Sequence, residues 1–400
     1  MTQTANYKKT LTACYLGFIT QAICGNFSPL LYLTFRRDYG LSFTQLGLIS
    51  ACFFFTQMVV DFLCAKVVDR IGYRKCIVTS EITSAAGLIG LAFLPDLMPD
   101  PYIGLLLCVF LYAVGSGLIE VLCSPIVEAC PFENKAGVMS LLHSFYCWGC
   151  VGVILGSTLF FAVFGSRYWR ILACLWALIP LYNIYNFSVC PIERLVEDGK
   201  GMSISSLLKT RIFWLLIVLM VCSGAAELSM AQWASSFVEN ALGVTKTVGD
   251  LAGPCLFAVF QGISRVIYGR YGERADLSVW MIVSGIGCLA CYTLAGLSHD
   301  PIFGLIGCML CGFCVGIMWP GSLNLSTKAL PAGGTAMFAL LALGGDLGGS
   351  IGPALVGSVS RFFGDDLHIG ILSSIGFPLL LALGVIRLRR YRDPSRALKR

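Results

Sequence analysis

Charged residues are scarce in this chain of 400 residues, because Asp, Glu, Lys and Arg together make up only 12% of it. Soluble domains carry about 25% of such residues. Hydrophobic residues account for 57%, and the mean hydropathy is +0.80. Water cannot solvate so much apolar surface, whereas a bilayer can. The composition therefore argues against a soluble protein and predicts a chain that lies mostly within a membrane.

Motifs of nucleotide hydrolysis and of zinc proteases are absent as well. The sequence contains neither G-x-x-x-x-G-K-[ST] nor H-E-x-x-H, which argues against ATP hydrolysis or metalloprotease chemistry in this chain. No cleavable signal peptide is indicated, since the first apolar run is too long and lacks a small-residue cleavage site. We expect no cofactor and no enzymatic activity.

The 19 cysteines do not suggest a disulfide framework. None of them falls in a predicted outer loop, where an oxidising compartment would pair them. We interpret them as small, apolar residues that pack helices, and we predict no metal site.

A spanning helix needs about 20 mostly apolar residues, and twelve such segments fill the chain. They lie at 10–33, 43–64, 76–95, 102–127, 136–163, 169–190, 212–238, 248–269, 277–297, 302–327, 333–358 and 368–386. The predicted fold class is an all-α membrane protein with twelve transmembrane helices, numbered here as spans 1 to 12.

The distribution of positive charge predicts the orientation of these spans. The net charge is +6, and 22 of the 28 Lys and Arg residues fall on the side that holds both chain ends. Positive residues concentrate on the cytoplasmic side of membrane proteins. We therefore expect a multi-pass protein with both termini in the cytoplasm, in a bacterial inner membrane. The basic C-terminal tail is interpreted as an orientation signal and not as a nucleic-acid site.

Three features recur in the two halves of the chain at nearly constant offsets of 200, 195 and 196 residues. They are the charged loops at 69–75 and 269–275, the prolines expected to break spans 4 and 10 (Pro125 and Pro320), and the glycine rows Gly149-Gly152-Gly156 and Gly345-Gly348-Gly352. Such offsets indicate a duplicated six-helix unit. We predict one bundle at 1–190, a cytoplasmic linker at 191–211 and a second bundle at 212–400.

The glycine rows lie in spans 5 and 11. Glycines spaced by three or four residues let helix backbones approach closely. We expect these two spans to form the contact between the halves, with ordinary tight packing as the alternative.

The loop after span 2 resembles the signature G-x-x-x-D-R-x-G-R-[RK] of the major facilitator superfamily, with Ala65 in place of the first glycine. The matching residues are Asp69, Arg70, Gly72, Arg74 and Lys75, and Arg270 and Gly272 stand in the second copy. The resemblance implies two pseudo-symmetric bundles, alternating access and a conformational lock at this loop. A charged loop that only follows the topology rule is the alternative.

Spans 4 and 5 are similar to the fucose–galactose–proton symporter branch of that superfamily. The resemblance rests on Glu120 five residues before Pro125 and on the run Leu142-His143-Ser144-Phe145. Ser124 replaces the usual Asn, and the stretch at 25–29 lacks the acid that the fucose permease carries in helix 1. The resemblance implies a sugar or related carbon source as the solute.

Five acids fall within the predicted spans, where a charge near the bilayer centre costs about 2.5–3.5 kcal/mol. We place Asp61 and Glu81 towards the inner surface as structural locks. Glu120 lies deeper, and we interpret it as the candidate proton carrier, with a static ion pair as the alternative. Asp346 is interpreted as a coupling or gating residue or as the partner of Arg265.

Glu227 in span 7 is followed by Gln232 and Trp233. A carboxylate, an amide and an indole suit a polyol, because they offer hydrogen bonds to hydroxyl groups and a flat face to a sugar ring. We predict substrate contact here, with coupling or a structural role as alternatives.

Histidine side chains titrate near physiological pH. His143 is therefore interpreted either as an assistant to Glu120 or as a plain hydrogen-bonding residue. Further candidate substrate residues are polar or aromatic at membrane depth. They are Gln21, Asn26, Gln57, Trp148, Gln261, Trp319 and Asn324. At each of them, helix–helix hydrogen bonding or lipid contact is an equal alternative.

These observations favour a secondary transporter that moves a small polar solute, driven by a proton or sodium gradient, and acts as a monomer among membrane lipids. The alternatives are an exporter of amphipathic metabolites or drugs, a membrane-embedded enzyme, and a receptor that does not transport. An exporter cavity would contain more aromatic side chains and fewer amides, whereas a lipid enzyme would cluster its acids at one membrane surface.

Overall fold

The computed structural model of the protein describes residues 6–195, 201–242, 249, 251–272, 276–298, 300–364 and 366–392, and these are nearly all helical. The helices of the first half are α1 (Tyr7–Leu30), α2 (Tyr32–Tyr39), α3 (Phe43–Ile71), α4 (Tyr73–Leu97), α5 (Pro101–Ala129), α6 (Lys135–Phe164) and α7 (Trp169–Val189). The later helices are α8 (Ile204–Lys209), α9 (Arg211–Ala231), α10 (Ala234–Leu242), α11 (Leu256–Tyr271), α12 (Leu277–Leu297), α13 (Pro301–Val315), α14 (Met318–Ala329), α15 (Gly334–Phe362), α16 (Leu367–Ser373) and α17 (Gly376–Arg392).

Within the described residues, eleven helical segments are long and apolar enough to cross a membrane, and the bent pair α1–α2 brings the number to twelve. Each predicted span coincides with one helix or with an interrupted pair. The predicted all-α membrane fold is thereby confirmed, because backbone polar groups in hydrocarbon must be satisfied within the segment itself.

Aspartates just outside the apolar segments explain where several helices begin. The side chains of Asp100, Asp276 and Asp300 each accept a hydrogen bond from the backbone N–H two residues later. Ser42 begins α3 in the same way and forms a reciprocal capping box with Gln45. Such caps satisfy N–H groups that a helix leaves without partners at its start.

Four spans are interrupted within the described residues. α1 and α2 meet at an angle of 50° after Pro29, and α9 and α10 are separated at residues 232–233. α13 and α14 are separated at residues 316–317, and α16 and α17 at residues 374–375. The expected break of span 4 at Pro125 is wrong, since α5 runs through this proline to Ala129. A proline removes one backbone hydrogen bond, and in α5 the tightly packed neighbours hold the helix together.

The chain divides into two compact units. Unit 1 comprises Met1–Pro131 and Phe145–Gly201, and unit 2 comprises Phe132–Ser144 and Met202–Arg400. The start of α6 therefore belongs to unit 2 and the rest of α6 to unit 1.

The glycine rows of α6 and α15 pack within the units. A Cβ on Gly348 would overlap the backbone of Val221 on α9, and one on Gly352 would lie 2.7 Å from the carbonyl oxygen of Ala225. In unit 1, a Cβ on Gly149 would lie 2.7 Å from the Cβ of Ala22 on α1. These three glycines therefore match the alternative of ordinary tight packing. They let α15 approach α9 in the second half and α6 approach α1 in the first half. In each half, the fifth span therefore packs against the first.

Candidate functional site

A buried carboxylate joins three helices of unit 1. Glu120 of α5 accepts hydrogen bonds at Oε2 from Nε2 of Gln21 on α1, at 2.8 Å, and from Nε2 of Gln57 on α3, at 2.5 Å. All three side chains are buried. Three residues proposed separately from the sequence, one as a proton carrier and two as substrate contacts, therefore form one cluster.

The amide of Gln57 is oriented by Ser116, which lies one helical turn before Glu120. The hydroxyl of Ser116 donates to Oε1 of Gln57 at 3.1 Å, so the NH2 group faces the carboxylate. Oε1 of Gln21 is buried and has no hydrogen-bond partner among the residues that the structure describes. The cluster thus keeps one amide oxygen available for a hydroxyl donor, next to a carboxyl group that can bind a proton.

A second buried acid lies nearby in the same unit. Glu81 of α4 accepts hydrogen bonds from Thr20 of α1 and Asn183 of α7, and all three are fully buried. Asp61 of α3 is also fully buried. The carboxylate of Glu81 therefore lies between three helices, in agreement with an acid that has a structural partner.

In unit 2, four spans meet at Arg265 of α11. Its guanidinium donates to the carbonyl oxygens of Gly316 at 2.8 Å and His143 at 2.9 Å, and Nη2 lies 3.4 Å from Oε2 of Glu227. Pro320 has no N–H to donate to the carbonyl four residues earlier, which is that of Gly316. Arg265 satisfies this carbonyl at the interruption between α13 and α14.

The sequence offered Asp346 as the partner of Arg265, and the structure shows that the carboxylate of Glu227 lies within ion-pair distance of Arg265. Asp346 is half-buried on α15, and its carbonyl accepts a hydrogen bond from Ser350. His143 is buried, and it belongs to unit 2, whereas Glu120 belongs to unit 1.

Several predicted substrate residues make contacts within or between helices. Trp319 is half-buried over Gly345 of α15, and Asn324 donates to the carbonyl of Pro320 at 2.8 Å. Asn26 donates to the carbonyl of Ala22 at 2.9 Å, within its own helix α1. Both asparagines therefore satisfy one donor on a carbonyl of their own helix.

The remaining candidates lie in different surroundings. Trp233 donates to the carbonyl of Pro353 at 3.1 Å, Gln232 is exposed at the end of α9, Gln261 is buried, and Trp148 is half-buried. Gln232 and Trp233 lie at the interruption of span 7, one helical turn beyond Glu227. The indole of Trp233 packs against α15 through this bond.

The charged loop after α3 has a defined geometry. Gly72 has φ +96°, a region that favours glycine. Arg74 donates three hydrogen bonds to the carbonyl oxygens of Phe187, Ser188 and Cys190 at the end of α7. Asp69, Arg70 and Lys75 are exposed, as is Arg270 in the second copy, whereas Gly272 is buried with φ −63°. The two loops therefore differ in backbone conformation, and residues 273–275 lie outside the described part.

Sequence reasoning did not single out Thr20, Ser116, Asn183 or Gly316. Their one signal was polarity at membrane depth or, for Gly316, a position four residues before a proline. Among the described residues, no group of three or more His, Cys, Asp or Glu side chains is arranged to hold a metal ion.

The letters G-x-S-x-G occur at Gly348–Gly352, but they lie inside α15. A nucleophile of this motif requires a sharp turn between a strand and a helix. Here the hydroxyl of Ser350 donates to a carbonyl of its own helix.

Comparison with known proteins shows which family and which relatives this chain resembles. The family described as Major Facilitator Superfamily matches residues 13–353. An uncharacterized MFS-type transporter of Enterobacter sp. (strain 638) is 22% identical over 357 residues, which cover 85% of this chain and 86% of that protein.

Two relatives with assigned substrates match over shorter stretches. A glucose/galactose transporter of Brucella abortus biovar 1 (strain 9-941) is 28% identical over 156 residues, covering 38% of this chain and 37% of the relative. The L-fucose-proton symporter of Escherichia coli (strain K12) is 25% identical over 148 residues, covering 36% and 33%.

Solved structures agree in fold. The crystal structure of the transporter FucP in the outward conformation has a TM-score of 0.80 at 17% identity, and it covers 94% of this chain and 98% of that one. The proton:xylose symporter XylE, bound to 6-bromo-6-deoxy-D-glucose, has a TM-score of 0.75 at 14% identity, with coverage of 96% and 94%.

Proposed function

From the premise that this chain belongs to the major facilitator superfamily, a family of membrane transporters and not of enzymes, we propose that it imports a sugar or related polyhydroxylated solute together with protons. Transport proceeds by alternating access. The proton gradient, and not sodium, supplies the driving force.

The observation that carries this proposal is the Glu120 cluster. A carboxyl group held by two amides offers a proton-binding group and, at Oε1 of Gln21, a buried acceptor for a sugar hydroxyl. A charged carboxylate is costly in a low-dielectric site. Binding a proton and a hydroxylated solute together lowers this cost, which is the physical basis of symport.

The names of the relatives support the same substrate class. One is described as a glucose/galactose transporter, another as an L-fucose-proton symporter. A member of an exporter branch would be expected to place aromatic side chains where Gln21 and Gln57 stand.

Two six-helix bundles supply the moving parts in this proposal. We assign residues 1–190 and 212–400 to these bundles and residues 191–211 to the linker that joins them. Both termini face the cytoplasm of a bacterial cell, and the protein acts as a monomer.

Transport in proteoliposomes tests the proposal. Radiolabelled D-galactose and L-fucose are offered with and without an inward proton gradient, at a membrane potential held near zero. We expect uphill uptake in the wild type. Glu120→Gln should abolish uphill uptake and spare counterflow exchange, because an amide keeps the shape of the site but carries no exchangeable proton.

The control is Glu193→Gln, since Glu193 lies outside the spans and accepts a hydrogen bond from the hydroxyl of Tyr7. Undiminished uphill uptake in Glu120→Gln would contradict the role of Glu120. Uptake of neither sugar, with extrusion of an amphipathic dye instead, would favour the exporter.

A further inference from the structure

Glu81 is an acid that the proposed symport does not yet use. Its Oε1 accepts from Nδ2 of Asn183 at 2.8 Å, and its Oε2 accepts from the hydroxyl of Thr20 at 3.0 Å. Asn183 also donates to the carbonyl of Ala13 at 3.0 Å. These four residues are fully buried. Glu81 therefore lies at the junction of α1, α4 and α7.

Both donors to Glu81 are neutral. Within the described part of the chain, Glu81 takes part in no ion pair. The titratable groups that act on it from neighbouring helices are the thiols of Cys14 and Cys24 on α1. Cys123 of α5 lies on the other side of the gap left by Gly17, and α3, which also packs on α4, carries the buried acid Asp61. No cation among these groups neutralises the carboxylate.

A glutamine at position 81 could make the same two hydrogen bonds. Its oxygen would accept from Asn183, and its NH2 group would donate to the hydroxyl of Thr20, which can act as an acceptor. It would also avoid the cost of placing an acid in a spanning helix, about 2.5–3.5 kcal/mol. What glutamate adds here is an exchangeable proton.

Helix α1 links this acid to Glu120. Thr20, which holds Glu81, and Gln21, which holds Glu120, are consecutive residues. Gly17, one turn earlier, lies beside the same acid: an added Cβ would be in contact with Oε1 of Glu81 at 3.5 Å and would lie 3.2 Å from Sγ of Cys123. A displacement of α1 must therefore change the surroundings of both acids.

We propose that Glu81 is a second proton-binding site of the transport cycle, coupled to Glu120 through Thr20 and Gln21 of α1. In one state the carboxyl O–H bond is intact. When α1 moves and admits water, that bond breaks and the proton leaves to water on the receiving side, and a proton from the other side restores the acid. This inference rests on the proposed proton-coupled function.

Two proton-binding sites predict that two protons are transported with each sugar, and this stoichiometry can be measured. In proteoliposomes with the membrane potential clamped at zero, the steady accumulation of D-galactose is recorded against the imposed pH difference. With two protons per sugar, accumulation rises about a hundredfold per pH unit, and with one proton about tenfold. We expect the hundredfold dependence in wild type and in the control Glu193→Gln. Glu81→Gln should show the tenfold dependence.

Infrared spectroscopy of the purified protein tests the same site without a sugar. A protonated carboxyl band that disappears on raising the pH should lose one component in Glu81→Gln. The component of this band that remains in Glu81→Gln should change little in frequency. If Glu81→Gln fails to fold, Thr20→Val keeps the acid and removes one donor, and it should move the frequency of that component.

Each result decides a separate claim. An unchanged accumulation slope in Glu81→Gln, or an infrared titration that neither variant alters, would overturn the role of Glu81 while leaving symport intact. A wild type that accumulates neither D-galactose nor L-fucose would contradict the proposed function, and the infrared titration would then decide alone whether Glu81 exchanges a proton.

Discussion

The guanidinium of Arg265 lies 3.4 Å from the carboxylate of Glu227, and both side chains are mostly buried. Removing one member of such a pair leaves a buried charge without compensation, which costs about 3–5 kcal/mol. We expect Arg265→Met to lower the free energy of unfolding by about this amount. Chemical unfolding in detergent micelles measures it.

The double variant Arg265→Met/Glu227→Gln should lose less stability than the sum of the two single variants, because neither charge is then left alone. Arg270→Met, at an exposed position at the end of the same helix, is the matched control. If Arg265→Met costs no more than Arg270→Met, the pair does not stabilise unit 2.

Substitution of glycine by alanine should have opposite effects on stability at two positions of the repeated rows. A Cβ on Gly348 would overlap the backbone of Val221, whereas a Cβ on Gly152 meets no other atom within 4 Å. Gly348→Ala must push α15 away from α9, and we expect a clear fall in melting temperature. Gly152→Ala should be neutral or stabilising by up to about 1 kcal/mol, because alanine favours a helix more than glycine does. Equal effects would contradict the packing described above.

The sequence predicted the spans well because each is governed by one dominant property, the length of its apolar segment. It also predicted Glu120, Gln21 and Gln57 individually, since polar residues at membrane depth are costly and few. What it could not predict was their convergence on one carboxylate. That depends on the rotation of three helices about their axes, which a nearly uniform apolar sequence does not define.

The sequence was less decisive where one residue has two possible neighbours. The glycine rows allowed either a contact between the halves or tight packing within one, and Gly348 and Gly352 pack against α9. The proline pattern predicted equal breaks in two spans, yet the interruption occurs only before Pro320 in this pair. A proline frees a carbonyl in either case, and tertiary contacts such as that of Arg265 with Gly316 decide whether the helix separates there.

The cysteines of α12 and α13 lie against one another. Cys288 and Cys291 on α12 face Cys308, Cys311 and Cys314 on α13, and Sγ of Cys288 lies 3.8 Å from Sγ of Cys311. These C-x-x-C spacings follow the helical repeat, which places small side chains on the face where two helices pack. The thiols are free, in agreement with the interpretation of cysteines as packing residues.

Ser116→Ala tests the orientation of the Gln57 amide. Loss of the hydroxyl removes the bond that directs the NH2 group of Gln57 towards Glu120. A single hydrogen bond contributes about 0.5–1.5 kcal/mol, so proton-driven uptake should fall about two- to tenfold. Ser188→Ala, at an exposed position on α7, serves as the control for uptake. A normal rate in Ser116→Ala would show that Gln57 is held in place by other contacts.

Arg74→Ala should loosen the end of α7. Its guanidinium bonds with three carbonyl oxygens there, at 2.7, 2.8 and 2.7 Å. Carbonyls at a helix end favour positive charge, and a planar guanidinium can serve several of them at once. We expect faster hydrogen exchange in the peptide that covers residues 184–192, and only partial recovery in Arg74→Lys. Lys75→Ala, at the neighbouring exposed position, should leave the exchange of this peptide unchanged.

Asp276, at the start of α12, should make the stability of the folded protein depend on pH. Burial raises the pKa of Asp276, but the hydrogen bonds from Ser278 and the charges of Arg389 and Lys328 outweigh it, and the net pKa is lowered. A lowered pKa in the folded state means that the folded protein binds this proton less readily than the unfolded chain does. The stabilisation is therefore present above the ordinary aspartate pKa of about 4 and disappears as the pH falls through the lowered value. Asp276→Asn should reduce the melting temperature at pH 7 and lose this difference from wild type in strong acid.

Asp276 and Arg389 are both about half exposed and lie 3.7 Å apart, so the effect is a small one that added salt should weaken further. Arg389→Gln tests the origin of the shift, because it removes one positive neighbour and keeps the cap on α12. Arg389→Gln should reproduce part of the fall in melting temperature that Asp276→Asn shows at pH 7. A melting-temperature difference between wild type and Asp276→Asn that stays constant from neutral pH into strong acid would mean that Asp276 acts through its cap geometry alone and not through its charge.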